Sequence, residues 1–224
     1  MKIAFSAAEI QRRETQLIAD GTPLMARASH AIANRVLLCL KQLRGSAYGS
    51  RVLILVGPGD NGSDALIAGT LLRERGVAVT AIFPLGREDD QWSKNFFRSG
   101  GVKVEDLDSD VDLILDGVFG LRGRNGFAID LPDALLVSID LPSGLAADVA
   151  DPNSPHVHPD ITLALGALKQ THLMQDDSCG EIELIDIGLD MEEKTASCVS
   201  YEDLDIALLL PQEDQRSHKY QRGT

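Results

Sequence analysis

Three places in this 224-residue chain put polar groups where chemistry could be done. The first is the turn VGPGDNGSDALIAG, residues 56 to 69, in which Gly57, Gly59 and Gly62 satisfy a G-x-G-x-x-G spacing while Asp60, Asn61, Ser63 and Asp64 sit among the glycines. A glycine turn that ends a strand and opens a helix presents backbone N–H groups and the positive end of the helix dipole to an anion such as a phosphate. The added polar groups could hold a cation or sugar hydroxyls as well. Equally, Ser63 and Asp64 could act as helix cap and first-turn acid, in a tight turn that binds nothing. The other two places are Asp116, which ends DLILD, and Asp140, which ends LLVSID and precedes LPSG. In an open α/β sheet the carboxyl ends of the strands form the ligand crevice, so both carboxylates would reach the face that carries the glycine turn.

The spacing also restricts the chemistry. A dehydrogenase of the usual nicotinamide-dependent kind needs an acid about 20 residues after the glycine turn to hold the ribose hydroxyls. Here the second strand ends AIFPLG and the first acid is Glu88, beyond Pro84 and Gly86, which disfavours hydride transfer. The loop GVFGLRGRNG carries Arg122 and Arg124 among glycines. It could close over a diphosphate with guanidinium and backbone donors, or be a mobile surface loop. His156 and His158 in NSPHVHP stand two apart without the acids or cysteines of a zinc spacing, and read as a loop pair without metal.

Elements of an α/β protein must position these groups. Leu24, Met25, Ala28, Ile32, Val36 and Leu40 recur at three- and four-residue spacing, which predicts a helix over 23–43 with Pro23 in its first turn. From Arg51 short apolar runs alternate with helical segments. The predicted strands are Arg51 to Val56, Val77 to Phe83, Val102 to Glu105, Asp112 to Leu115, Leu135 to Ile139, Asp160 to Leu165 and Glu181 to Ile187. Several are almost continuously apolar, as strands covered on both faces must be. A helix beginning near Ser63 is closed by Gly76, and RSGGV closes another around Trp92. The pattern predicts a doubly wound fold with a mainly parallel sheet.

Composition sets outer bounds. Apolar residues make up 44% and charged residues 25% of the chain, the mixture of a globular domain. A formal net charge of -13 opposes binding to nucleic acid or to an anionic membrane. Neither a signal-peptide core nor an apolar membrane span is present, so the expected location is cytoplasmic. Cys39, Cys179 and Cys198 are far apart in sequence, odd in number and without metal-ligand spacing, and read as packing residues of a reduced cytosolic protein. The final segment, QEDQRSHKYQRGT, is polar without a helical stripe and reads as a linker or disordered end.

Taken together, GPGDNGSD, DGVFG, SIDLPSGLAAD, DITLALGALK and IELIDIGL follow the order and spacing of the YjeF N-terminal family, the NAD(P)H-hydrate epimerases, from about Ala7 to Leu189. The resemblance implies a Rossmann-like three-layer α/β/α sandwich with N-terminal helices. It also implies interconversion of the R and S forms of hydrated NADH and NADPH, in which a dinucleotide is bound as substrate and no hydride moves. Carried over by position, Asp60, Asn61, Gly62, Ser63 and Asp64 would form one part of the substrate site. Gly120, Leu121, Arg122, Gly123, Arg124, Asn125 and Gly126 would form the second. Asn61, Asp116 and Ser143 match the family's potassium ligands, and Asp140 its substrate-contacting acid, a general acid/base by position and chemistry. Epimerisation can pass through a planar iminium-like or a ring-opened intermediate.

The sequence departs from the family at several points. Asp60 and Ser63 replace the usual asparagine and glycine, Ala65 replaces a glycine, Ala26 stands where glutamate commonly follows the helix methionine, and Gln170 follows Lys169 in place of proline. The resemblance further implies a homodimer through the N-terminal helices and a companion ATP- or ADP-dependent dehydratase, in the same chain or separate. The expected division is an epimerase domain over 1–210, with 211–224 a linker or the entry to a dehydratase domain, as in the excised half of a bifunctional enzyme or a naturally truncated member. The competing class is a non-catalytic Rossmann-like nucleotide- or protein-binding module. Retention of Asn61, Asp116, Asp140 and Ser143 together favours catalysis.

Overall fold

The computed structural model of the chain describes residues 1–87, 89–107, 110–201 and 205. In chain order its main elements are β1 (Lys2–Phe5), α1 (Ala7–Ala19), α2 (Leu24–Arg44), β2 (Arg51–Val56), α3 (Asp60–Glu74), β3 (Ala78–Ile82), α4 (Gln91–Arg98), β4 (Val102–Lys103), β5 (Leu113–Gly117), β6 (Leu135–Ile139), β7 (Ile161–Leu165), β8 (Leu168–Lys169), α5 (Gln170–Met174), β9 (Glu181–Ile185) and β10 (Cys198–Ser200). The 210/211 boundary and the polar end lie outside the described residues.

The apolar runs become the strands of one seven-stranded sheet of order β4-β3-β2-β5-β6-β7-β9, parallel throughout. This is the Rossmann-like α/β arrangement the sequence predicts. After β2 the chain builds outward through β3 and β4, then returns to lay β5 on the other side of β2. The carboxyl ends of β2 and β5 therefore flank a topological switch point, where a ligand crevice opens in such sheets.

Strand periodicity assigns the two faces. Val52, Ile54 and Val56 join the cluster built with Ile32, Val36 and Leu40 of α2 and Leu66 and Leu72 of α3. Leu53 and Leu55 join Ile114, Val118, Leu136 and Val157 on the other face, covered by irregular chain that includes Leu107, Phe127, Ile129 and Leu131. That covering has no helical period in the sequence.

The α2 helix is within a residue of its predicted bounds, and its stripe is the buried face. It ends where Gly45 takes φ 77° and its N–H donates to the Lys41 carbonyl, the left-handed stop that glycine favours. The α3 helix starts three residues before Ser63. Its N-cap is Gly59, without a side-chain cap, and Asp60 is its first-turn acid. A second sheet of order β10-β1-β8 was not expected. It pairs β1 antiparallel with β10 and parallel with β8. These strands are two to four residues long, too short for a readable alternation, and their partners are remote in sequence. No helix of the described residues is long and apolar enough to cross a membrane.

Candidate active site

At the switch point lies a cleft of about 540 Å³. Its floor and walls come from the carboxyl ends of the strands: Pro58 to Asn61 and Asp64 after β2, Val118 to Gly123 after β5, Asp140 after β6 and Leu165 at the end of β7. The α1 helix adds Gln11, Glu14 and Ile18, and the start of α2 adds Leu24, Met25 and Ala28. Of the expected substrate residues, the cleft thus gathers Asp60, Asn61, Asp64, Gly120, Leu121, Arg122, Gly123 and Asp140.

The others lie outside its lining. Gly62 faces the chain behind it, where a Cβ would stand 2.0 Å from the Gly57 carbonyl oxygen. Ser63 Oγ accepts from Arg87 Nη2 at 2.8 Å, so it neither caps α3 nor faces the cleft. Arg124 lies 6.0 Å from the Phe119 ring. Asn125 Oδ1 accepts from Ala146 N–H at 2.8 Å. Gly126 N–H donates to Ser154 Oγ at 2.8 Å. The second half of the arginine loop is anchored, and its first half borders the cleft.

Asp140 is held in an unusual way. It is buried, with a φ of 69°. Its Oδ1 accepts from Leu165 N–H at 3.1 Å and pairs with the ammonium of Lys169, itself 1% exposed. The Lys169 ammonium also donates to the carbonyls of Leu165 at 2.9 Å and Ala167 at 3.0 Å, so each of its three protons has an acceptor. Asp140 Oδ2 accepts no hydrogen bond among the described residues.

Three further carboxyls line the cleft, those of Asp64, Glu14 and Asp60. Burial pushes Asp64 up to about 7 against the opposing hydrogen bond from Ser29. Ser29 Oγ stands 2.7 Å from Asp64 Oδ1 and 2.7 Å from the Met25 carbonyl. A hydroxyl has one proton, so a protonated Asp64 can donate to Ser29 while Ser29 donates to Met25. Glu14 is also raised above the usual carboxylate range, by burial first and then by the charge of Asp140. At the mouth, Asp60 Oδ2 pairs with Arg122 Nη2 at 2.5 Å, both groups well exposed.

Residues 21–171 match the model of the YjeF-related protein N-terminus. The chain belongs to this family. It is 34% identical over 238 residues to the bifunctional NAD(P)H-hydrate repair enzyme Nnr of Mycobacterium leprae, covering 100% of this chain and 49% of that protein. The chain thus spans about half the length of the bifunctional mycobacterial relatives it matches. It is also 30% identical over 221 residues to the NAD(P)H-hydrate epimerase of Clavibacter michiganensis, covering 85% of this chain and 93% of that one. The crystal structure of the yeast protein YNL200c superposes with a TM-score of 0.62 at 18% identity, covering 90% of this chain and 97% of the other, which shows the shared fold.

Of the YjeF positions expected to bind a cation, Asn61 lines the cleft, whereas Asp116 and Ser143 lie outside its lining. Asp116 is fully buried within β5. Its Oδ1 accepts from Ser143 Oγ at 2.6 Å, and its Oδ2 from Ser138 Oγ at 2.8 Å and Ser143 N–H at 2.9 Å. Burial raises its carboxyl above the usual range against these donors. The Asn61 side-chain amide lies between the carbonyl oxygens of Phe119 and Ile139, at 2.8 and 2.7 Å.

No role for Glu14, Arg87, Lys169 or His172 follows from the motifs of the sequence. A signal for Glu14 was present, because Ser6 and Glu9 make the S-x-x-E start of a helix; Glu9 N–H does donate to Ser6 Oγ, at 3.3 Å. The buried Arg87 guanidinium donates to the carbonyls of Gly57 at 2.8 Å and Gly59 at 3.0 Å, clamping the glycine turn from outside. His156 and His158 pack against each other at 4.2 Å between ring centroids, and His156 Nδ1 lies 2.7 Å from the Ser154 carbonyl. The three cysteines are free, and Cys39 and Cys179 are buried as packing residues.

Proposed function

We propose that this domain interconverts the R and S epimers of hydrated NADH and NADPH. The observation that carries the reading is Asp140. It lines the cleft formed by the glycine turn and the arginine loop, with one carboxylate oxygen bound to Lys169 and Leu165 and the other available to a substrate. The names borne by its relatives agree with this chemistry.

The dinucleotide's phosphates would meet the N-terminal turn of α3 and Arg122, with the hydrated nicotinamide ring over Asp140. Loss of the ring hydroxyl as water needs a proton. Asp64, pushed up to about 7, still holds one in part of the population at neutral pH. Asp140, paired with Lys169, offers a carboxylate oxygen through which protons are taken up and returned. Water returning to the opposite face of the planar cation gives the other epimer, and no redox equivalent is consumed. A ring-opened route would use the same proton transfers.

The donor set fits a potassium ion. Asn61, Asp116, Ser143 and the adjacent carbonyls of Phe119 and Ile139 can supply oxygen ligands. No cluster of three or more His, Cys, Asp or Glu occurs among the described residues. Oxygen donors without thiolate or imidazole suit a hard cation. We assign Asn61, Asp116 and Ser143 to hold it. When bound, it would offset the buried carboxylate charge and brace the turn against the loop after β5. A companion ATP- or ADP-dependent dehydratase would consume the S epimer.

The test supplies purified R-hydrate of NADH, with and without potassium, and follows its conversion to S against the spontaneous rate. The expected result is a potassium-sensitive acceleration that falls by about 10²–10⁴-fold in Asp140→Asn, the usual range for loss of a general acid/base. A folded wild-type protein that accelerates nothing under either condition would overturn the reading in favour of a binding module.

A further inference from the structure

Asp140 is the central residue of a γ-turn: Leu141 N–H donates to the Ile139 carbonyl at 2.8 Å around its positive φ. Turns of this hand are rare and strained for a residue with a Cβ. One strand further along, the chain makes the same turn with glycine. Gly166 has φ 70°, and Ala167 N–H donates to the Leu165 carbonyl at 2.8 Å. Glycine is therefore the unstrained solution this fold already uses, and the aspartate at 140 must be held against its backbone preference.

The segment that holds it runs from Leu165 to His172. Leu165 N–H and the Lys169 ammonium take the side chain, as described. The backbone is taken by His172, which is fully buried. Its Nε2 lies 2.9 Å from the Asp140 carbonyl oxygen, and its Nδ1 lies 3.1 Å from the Lys169 backbone nitrogen. Lys169 N–H can only donate, so Nδ1 must accept and Nε2 must carry the proton. One tautomer satisfies both contacts.

We infer that His172 is a positioning residue for Asp140, a neutral imidazole that ties the Asp140 carbonyl to the backbone of Lys169 and keeps Asp140 Oδ2 aimed into the cleft. The inference rests on the reading of Asp140 as the acid/base of epimerisation. Burial, with the charge of Lys169, pushes the ring down to about 4, which keeps it neutral.

Two substitutions separate the two bonds. His172→Asn retains an acceptor near Nδ1 and cannot reach the Asp140 carbonyl; His172→Gln extends an N–H donor to the place of Nε2. Thr162→Val is the structural control, since Thr162 is buried and its hydroxyl donates to the Cys179 carbonyl at 2.6 Å, outside the cleft.

In the full chain, with thermal midpoints measured alongside, His172→Asn should lower kcat about 10–100-fold, the effect of misplacing a catalytic group by a fraction of an ångström to an ångström. KM should stay within about twofold. His172→Gln should recover most of kcat, and Thr162→Val should keep it despite a lower midpoint. An unchanged kcat in His172→Asn, or equal losses in Asn and Gln, overturns the inference. If the wild type exchanges no epimers, the epimerase reading falls and amide hydrogen exchange judges the positioning alone. Faster exchange at Leu141 and Leu165 in His172→Asn, absent in Thr162→Val, supports it; unchanged protection overturns it.

Discussion

The pair Asp140–Lys169 shows how one contact shapes the behaviour of a site. Both side chains are nearly inaccessible, so removing either leaves a buried charge with no opposite partner, at a cost on the order of 3–5 kcal/mol. Asp140→Asn and Lys169→Met should each lower the unfolding free energy measured in urea by that scale. The double variant should lose clearly less than their sum, because it leaves no orphaned charge. Additive losses would show that the pair contributes no coupling. The exposed pair Asp60–Arg122 belongs to the other regime, where such contacts are worth about 0.2–1 kcal/mol. The family's usual asparagine at 60 would leave Arg122 free. Here Asp60 occupies the Arg122 guanidinium, and in the proposed binding mode a substrate phosphate would have to displace it. Asp60→Asn should therefore lower KM by roughly 1.4- to fivefold, the equivalent of that energy, with kcat little changed. An unchanged KM would show that Arg122 does not meet the phosphates.

The elements differ in what makes them readable. The long strands and α2 are continuous apolar runs or a clean helical stripe, each set by local sequence. The β1, β8 and β10 strands exist only through partners such as Lys2 opposite Ser200, and no local period announces them. The same distinction divides the site. Asp140, Asn61 and Arg122 follow from their places at strand ends and loops. Lys169 and His172 reach Asp140 across 29 and 32 residues, and their contacts exist only once β7, β8 and α5 are in place. The three glycines of the turn also separate by role. A Cβ on Gly57 would lie 1.9 Å from the Val118 carbonyl oxygen and one on Gly62 2.0 Å from that of Gly57, whereas Gly59 has open space. Gly62→Ala should cost about 1–3 kcal/mol or more by overpacking backbone against backbone, and Gly59→Ala under about 1 kcal/mol as a weaker N-cap. Chemical denaturation of both variants checks the order, and equal losses would place the turn's constraint elsewhere.

Across the whole molecule, the groups that tune the site also set how stability follows pH. Asp64 is raised on folding from 3.8 to about 7. Between those values the folded state binds more protons than the unfolded one, so this group's contribution to stability falls as pH rises from about 4 to about 7. His172 is lowered from 6.5 to about 4. In that window the unfolded state binds more protons, and its contribution rises with pH. The two slopes oppose each other from about pH 4 to about pH 6.5, each worth at most a few kcal/mol. Removing one should expose the other. Asp64→Asn, which keeps the shape and an oxygen for Ser29, should make stability climb with pH more steeply than in the wild type. His172→Gln should tilt the profile the opposite way. Urea midpoints measured every half pH unit from 4 to 7 decide the matter. Parallel profiles for all three proteins would mean that neither group changes its proton affinity on folding, and would remove Asp64 as a proton source at neutral pH.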